Sequence, residues 1–239
     1  MKIITVASAK GGVGKSTFCY GVGRLLALNG SSVLLVDMDI GVRSLDILLG
    51  VSEKTVYNWG DIIKGNCDYR KAVIGGDRGL YLLPAPIDFD ESYTPEAFAD
   101  MLGAFAKDFD YILLDAPAGL ESGFKLASKT ADSCIIISTP DAISIRAASY
   151  AATNVRKAGI SNVRLVVNKF NRKIHKSINV DEIIDSVGAR FLGVIPESQE
   201  IYGSVEGKKI PYESKGNQAL LRISKRIKGE NVPFRAKNL

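Results

Sequence analysis

The chain has 239 residues, 46% of them hydrophobic, and its 31 Lys and Arg against 26 Asp and Glu leave a net charge of +5. That length and composition suit one large α/β domain spanning residues 1–239, and no apolar run reaches the roughly 18 to 20 residues that cross a bilayer. Met1 runs straight into a strand-like segment with no leader pattern, so a cytoplasmic protein is expected, while Cys19, Cys67 and Cys134 are widely spaced with no C-x-x-C pair, which argues against a disulfide framework or a metal clip.

In chain order, Lys2 to Ser8 is a short β-branched run that stops at a glycine-rich turn, and Ser16 to Asn29 then carries helical spacing through Val22, Leu25, Leu26 and Leu28. Val33 to Val36, Leu80 to Leu83, Tyr111 to Leu114, Cys134 to Ile137, Val163 to Val167 and Phe191 to Ile195 read as buried strands. Between several of them, Pro95 to Lys107, Ala142 to Ala158 and Val180 to Val187 have helical length and period. Such alternation requires crossover connections, so the expected fold class is α/β, with a mostly parallel central sheet and helices on both faces. His175, the lone histidine, lies in a basic run with Arg172, Lys173 and Lys176 and reads as part of a solvated loop without a catalytic role. Near the carboxyl end, Ala219 to Lys228 sets Leu220, Leu221, Ile223 and Ile227 beside Arg222, Lys225, Arg226 and Lys228, the pattern of a helix packed on its own domain. The basic excess there, which includes Lys208, Lys209 and Lys215, is either a solvated helix face or a surface for nucleic acid or anionic lipid.

The segment Ala9-Lys10-Gly11-Gly12-Val13-Gly14-Lys15-Ser16-Thr17 follows a strand and opens a helix, which is the context of a phosphate-binding loop. Glycines let the backbone curl so that successive N–H groups point inward, and the helix amino terminus adds a positive dipole end. A triphosphate fits there. Lys15 would reach the β and γ phosphates, the Ser16 hydroxyl would complete the oxygen shell of Mg²⁺, Thr17 would support the α phosphate, and the backbone from Gly11 through Gly12, Val13 and Gly14 would wrap the anion.

Ala9 stands where the ordinary loop has glycine, and Lys10 adds a second lysine; the string K-G-G-V-G-K-S-T resembles the deviant Walker A motif of the MinD/ParA superfamily. The likeness covers nearly the whole chain, through Val36 to Asp46 (similar to switch I), Asp115-Ala116-Pro117-Ala118-Gly119 (the D-x-P-A-G pattern of switch II), Pro140-Asp141, Ser144-Ile145-Arg146, Gly193 to Glu197 (G-V-I-P-E) and the stretch from Gly229 to Arg235. It is strongest with the MinD branch of that superfamily and implies a P-loop NTPase fold and a slow, Mg²⁺-dependent ATPase. By the resemblance, Lys10 contacts phosphate across a dimer interface and Asp39 orients the attacking water, so Lys10, Lys15 and Asp39 form the catalytic set. Asp37 and Asp115 support Mg²⁺ with Ser16, the Gly119 N–H in the switch II turn with Pro117 senses the γ phosphate, and Pro196 lies near the base. By the same resemblance, Asn168 would hydrogen-bond adenine through an amide that both donates and accepts. Capping is the alternative for Asp37, Asp39 and Asp46, and turn capping for Asn168.

The resemblance further implies a homodimer in the ATP state and a protein regulator or activator, in a switch that positions the division site or a related polar or flagellar structure. The alternative is a ParA-like partitioning ATPase that binds non-specific DNA in its ATP state. Peripheral attachment at the inner face of the membrane would need an amphipathic helix, and Ala236-Lys237-Asn238-Leu239 is too short to form one, so no clear targeting helix is present. Ala147-Ala148 also depart from the acidic residue that MinD proteins typically carry after the arginine. A cluster-assembly ATPase on this fold would need a cysteine pair that the chain lacks.

Overall fold

The structure, a computed structural model, describes residues 1–76, 78–119, 122–175, 178–205 and 210–234; the readings at Lys176, Lys208, Lys209, Arg235 and 236–239 lie outside them. The elements run β1 (Lys2–Ser8), α1 (Lys15–Leu28), β2 (Val33–Asp37), α2 (Leu45–Leu49), α3 (Trp59–Ile63), α4 (Tyr69–Ala72), β3 (Ile74–Gly75), β4 (Leu80–Leu83), α5 (Pro95–Ala104), β5 (Tyr111–Ala118), α6 (Ser122–Thr130), β6 (Ser133–Ser138), α7 (Ala142–Lys157), β7 (Val163–Phe170), α8 (Val180–Val187), β8 (Arg190–Pro196), α9 (Gln199–Val205) and α10 (Lys215–Lys228). One sheet takes the order β3-β4-β2-β5-β1-β6-β7-β8, and every neighbouring pair is parallel except β3 with β4. All seven strands expected from apolar runs are present. The two-residue β3 was not expected, because a segment that short carries no readable period.

Alternation along the strands assigns the two faces. Leu34 and Val36 of β2, Ile112 and Leu114 of β5, Ile136 of β6 and Val167 of β7 bury into a core shared with Phe98 of α5, Ala148 of α7 and Ile183 of α8. Leu35, Leu113, Ile135 and Val166 bury into a second core with Val22 and Leu26 of α1 and Leu220, Ile223 and Ile227 of α10. Both faces of the sheet are therefore covered, which is what continuous apolar strands such as Cys134 to Ile137 require.

Local chemistry sets where the helices begin and end. Thr94 caps α5 by accepting the Ala97 N–H, with Pro95 at the first helical position; Asp141 caps α7 through the Ser144 N–H, and Ser214 caps α10 through the Asn217 N–H. Gly229, in the left-handed region at φ 96°, ends α10. The same helix is locked onto the sheet by a close approach: a Cβ on Gly193 of β8 would fall 2.6 Å from Ile223 Cγ1, so glycine there lets Ile223 reach the strand backbone. Ile223 is buried. Ile223→Ala should lower unfolding stability by about 2–5 kcal/mol, read as a fall in urea midpoint with little change in slope.

Candidate functional site

The carboxyl ends of β1, β2, β5, β7 and β8 converge on one cavity of about 350 Å³, lined by Gly11, Gly12, Gly14, Lys15, Ser16 and Thr17 from the glycine loop, by Asp39 and Ala118, and by Asn168, Pro196 and Glu197 on the far wall. The loop departs from β1 and delivers Lys15 as the first residue of α1. Gly12 and Gly14 adopt positive φ, at 73° and 93°, which a side chain would strain. At Gly14 a second constraint acts, because a Cβ would fall 2.5 Å from the Asn168 amide nitrogen. That closeness serves a bond: Asn168 Nδ2 donates to the Val13 carbonyl at 2.8 Å, and Lys169 Nζ donates to the Gly12 carbonyl at 2.8 Å. Both lateral bonds hold loop carbonyls outward, toward β7.

Beneath the loop lies a buried group of charges. Lys15 is 8% exposed, Asp37 1% and Asp115 1%. Asp37 spends both oxygens on backbone: Oδ1 accepts the Asp39 N–H, and Oδ2 accepts the N–H groups of Ser44 and Leu45, each at 2.9 Å. It thereby caps α2 and closes the loop between β2 and α2, the capping role that its position also allowed. Burial pushes its carboxyl up, the three backbone bonds oppose this, and Asp39 adds to the rise. Asp115 is pushed up to about 7, first by burial and then by the charge of Asp37, with Ser16, Lys15 and Cys19 pulling the other way. Burial also raises Asp39, against the charge of Lys15.

Three further partners had no role assigned from the sequence, although Ser44 and Asp141 lie in stretches that resemble the family. The Ser44 hydroxyl donates to Ser16 Oγ at 3.0 Å, joining the loop after β2 to the first turn of α1. Cys19 points its thiol at Asp115 Oδ1, 3.6 Å away, and burial raises that thiol well above its usual range. As a lone cysteine in a helical pattern it reads as a small apolar residue; only the fold brings it to the end of β5. Asp141 is the third. Lys10 Nζ donates to both its oxygens, at 3.0 and 3.2 Å, and Thr139 Oγ1 adds a 2.6 Å bond. Desolvation works to raise the Asp141 carboxyl, but the bonds from Thr139, the Ser144 N–H and Lys10 outweigh it and hold it below the usual carboxylate range.

The structure brings most of the expected residues to one cavity and gives the side chains of two of them other partners. Lys15, Ser16, Thr17, Asp39, Asn168 and Pro196 share the cavity wall, and Asp115 lies buried under it beside Ser16. Pro117 lies near the end of β5 beside the lining residue Ala118, and Gly119 follows the strand with φ 93°. Lys10, however, turns sideways to the start of α7 within its own chain, and Asn168 spends its amide nitrogen on the loop. His175, read as without a role, accepts the Asn171 N–H through Nδ1 at 3.0 Å and closes a turn.

Comparison with known proteins agrees with this geometry. The family model described as the CobQ/CobB/MinD/ParA nucleotide binding domain matches residues 4–212. The chain belongs to this family. Among curated relatives in the MinD branch, the septum site-determining protein MinD of Bacillus subtilis (strain 168) is 34% identical over 97% of this chain and 90% of its own. Among solved structures, the MinC:MinD cell division complex of Aquifex aeolicus aligns with a TM-score of 0.90 at 32% identity over 98% of both chains. MinD of Pyrococcus horikoshii OT3, solved with Mg-ADP, aligns with a TM-score of 0.85 at 26% identity over 95% of both. The sheet order and the loop at the end of β1 are accordingly those of the MinD/ParA P-loop fold.

Family membership makes a magnesium nucleotide the group to test against the site, and the residues fit it. Gly11, Gly12 and Gly14 line the cradle, a hydroxyl and a buried carboxylate stand together at Ser16 and Asp115, and two acids face one lysine in a desolvated layer. Such a layer is short of positive charge. The same shortage has a signature in the nucleotide-free protein. A carboxyl whose folded value lies near 7, above its unfolded value near 4, holds its proton better when folded, so its contribution is present at low pH and is lost as pH rises from about 4 through about 7. Asp115→Asn should therefore be more heat-stable than the parent at pH 8, by ~2–4 kcal/mol at most, with the gap closing by pH 5 in melting curves recorded without nucleotide.

Proposed function

We propose that this chain, acting as one nucleotide-binding domain, is a Mg²⁺-dependent ATPase that works as a dimerisation switch of the MinD type in placing the division site. The observation that supports this most directly is the convergence of Lys15 and Ser16, at the start of α1, with Asp39 on the wall of one cavity and Asp115 buried beneath it. MinD relatives at about a third identity over nearly the full chain support the division role over a partitioning one. Bound Mg²⁺ would neutralise charge on the β and γ phosphates. Ser16 would hold it directly and Asp115 through water, while Asp37, committed to the backbone of its own loop, would add charge and keep Ser44 beside Ser16.

Each remaining residue then has a task that its geometry suits. Lys15 and the inward N–H groups from Gly11 to Gly14 bind and orient the phosphates, and Thr17 supports the α phosphate. Asp39 sits on the cavity wall, half-buried and free of the backbone bonds that occupy Asp37, so it orients a water for attack on the γ phosphate. Pro117 and Gly119 follow Asp115 on the switch II turn and carry the presence of that phosphate to α6. Asn168 Oδ1 accepts from the adenine amino group, with Pro196 against the base.

Lys10 belongs to the switch. In a single chain it rests on Asp141, and with side-chain exposures of 36% and 44% that pair contributes only ~0–1 kcal/mol. A phosphate brought by a second copy, face to face, is a stronger partner than a half-solvated carboxylate, so ATP closes the dimer by drawing Lys10 across. Hydrolysis returns it to Asp141 and separates the subunits. A protein regulator reading the closed dimer would speed this step, and among the described residues no helix is long and apolar enough to cross a membrane, so any membrane contact would be peripheral. Substituting Lys15 by Ala should abolish ATP binding in calorimetry, whereas Lys10→Ala should leave binding by the single chain within about threefold and remove the ATP-dependent dimer in sedimentation. Dimerisation and turnover at parental levels in both variants would rule the switch out. Sedimenting the Asp39→Ala protein with ATP, Mg²⁺ and either anionic liposomes or duplex DNA separates the division reading from the partitioning one.

A further inference from the structure

The end of β2 is where the site depends most on exact backbone placement, because Asp37 and Asp39 follow one another there. The ladder between β2 and β4 stops at Val36 with Leu83, and on the other side Asp37 pairs with Asp115. The carbonyl of Asp37 therefore lies past the last β2–β4 pair, in a fully buried environment where an unpaired acceptor is costly. Its hydrogen bond comes from a side chain: the indole Nε1–H of Trp59 donates to it at 2.9 Å.

Trp59 is built to hold that bond. It is the chain's single tryptophan and is fully buried at the first position of α3. Asn58 and Asp61 close a capping box around the turn that carries it, and the Trp59 N–H is itself bound to the Pro84 carbonyl at 3.1 Å, just past β4. Edge-on contacts with Tyr93 and Phe98, at centroid separations of 4.7 and 5.4 Å, fix the plane of the indole. Tyr93 is steadied in turn by Lys64. A ring clamped on these sides can present its N–H in one direction only, and that direction is the peptide two residues before Asp39.

We infer that Trp59 is a positioning residue for hydrolysis: its indole N–H holds the Asp37 carbonyl, and through that peptide it sets Asp39 against the γ phosphate while taking no part in nucleotide binding. This rests on the ATPase reading above. It also separates α3 from the rest of the scaffold, because phenylalanine would keep an aromatic ring in the pocket and lose only the donor and part of the volume. A displacement of about 1 Å at a group that orients a reacting water is enough to cost turnover heavily without touching affinity.

The test compares Trp59→Phe with Phe98→Leu, which loosens the same pocket and leaves the indole bond in place. With parental turnover measured first, Trp59→Phe should bind ATP within about twofold of the parent and hydrolyse it roughly tenfold more slowly, whereas Phe98→Leu should be comparably destabilised to heat yet turn over within twofold. Parental turnover in Trp59→Phe, or an equal loss in both variants, would overturn the inference; an inactive parent would instead overturn the ATPase reading. A measurement on the unchanged protein guards against a variant that fails to fold. The single indole N–H resonance should exchange with solvent at least about a hundredfold more slowly than free indole, and rapid exchange would equally overturn the bond on which the inference stands.

Discussion

Two carboxylates and one lysine share a desolvated layer beneath the glycine loop, and much of the local architecture exists to make that arrangement tolerable. Asp37 and Asp115 sit on adjacent strands in register, each 1% exposed, so their mutual repulsion cannot be relieved by water. Three backbone N–H groups bond the Asp37 carboxylate and oppose the rise that burial imposes on it, which commits the chain after β2 to one path. Asp115 has weaker donors, the Ser16 hydroxyl and the Cys19 thiol, and is the acid that gives way, with its carboxyl near 7. A cation arriving at Ser16 and Asp115 would restore the balance. Affinity for a divalent ion with phosphate and strain in its absence have one source.

That source also explains the bracing around the loop. A cradle whose N–H groups face inward leaves its carbonyls facing outward, and these must find donors. Val13 finds the Asn168 amide and Gly12 finds the Lys169 ammonium, both from the end of β7. Asn168 therefore braces the loop through its donor while standing on the wall of the cavity. Gly14 is required twice over, by its backbone angle and by the nearness of Asn168.

Sequence reading recovers the parts of this that depend on period or on contiguous motif. Apolar runs of four to eight residues marked every strand but β3, and the chemistry from Lys10 to Thr17 is readable because the cradle is built from consecutive residues. What escapes is contact between distant segments. Nothing about Cys19 as a letter shows that β5 will end beside it, nor does Asp141 show that Lys10 will reach across from β1 to the cap of α7, 131 positions away. Short elements escape for a different reason: α2 and α4, of five and four residues, are held by caps at Asp37 and Asp68 rather than by an apolar stripe, so no periodic signal exists to find.

The basic helix at the carboxyl end shows how the same letters divide between competing uses. Its apolar stripe, Ala219, Leu220, Ile223 and Ile227, is spent on α1 and β8, and Leu220 reaches the wall of the nucleotide cavity, so that face cannot also enter a membrane without opening the domain. Part of the charge is spent as well. Arg226 donates to the carbonyls of Leu192 and Val232, drawing the segment after α10 onto the outer strand of the sheet, and Lys228 donates to the Asn29 carbonyl at the end of α1. Phe234 then packs edge-on against Phe191. A helix that looks amphipathic and basic in sequence is thus a structural strap over the edge of the sheet. It joins the end of α1, whose other end carries Lys15, to β8, whose end carries Pro196, and so ties two walls of one cavity together.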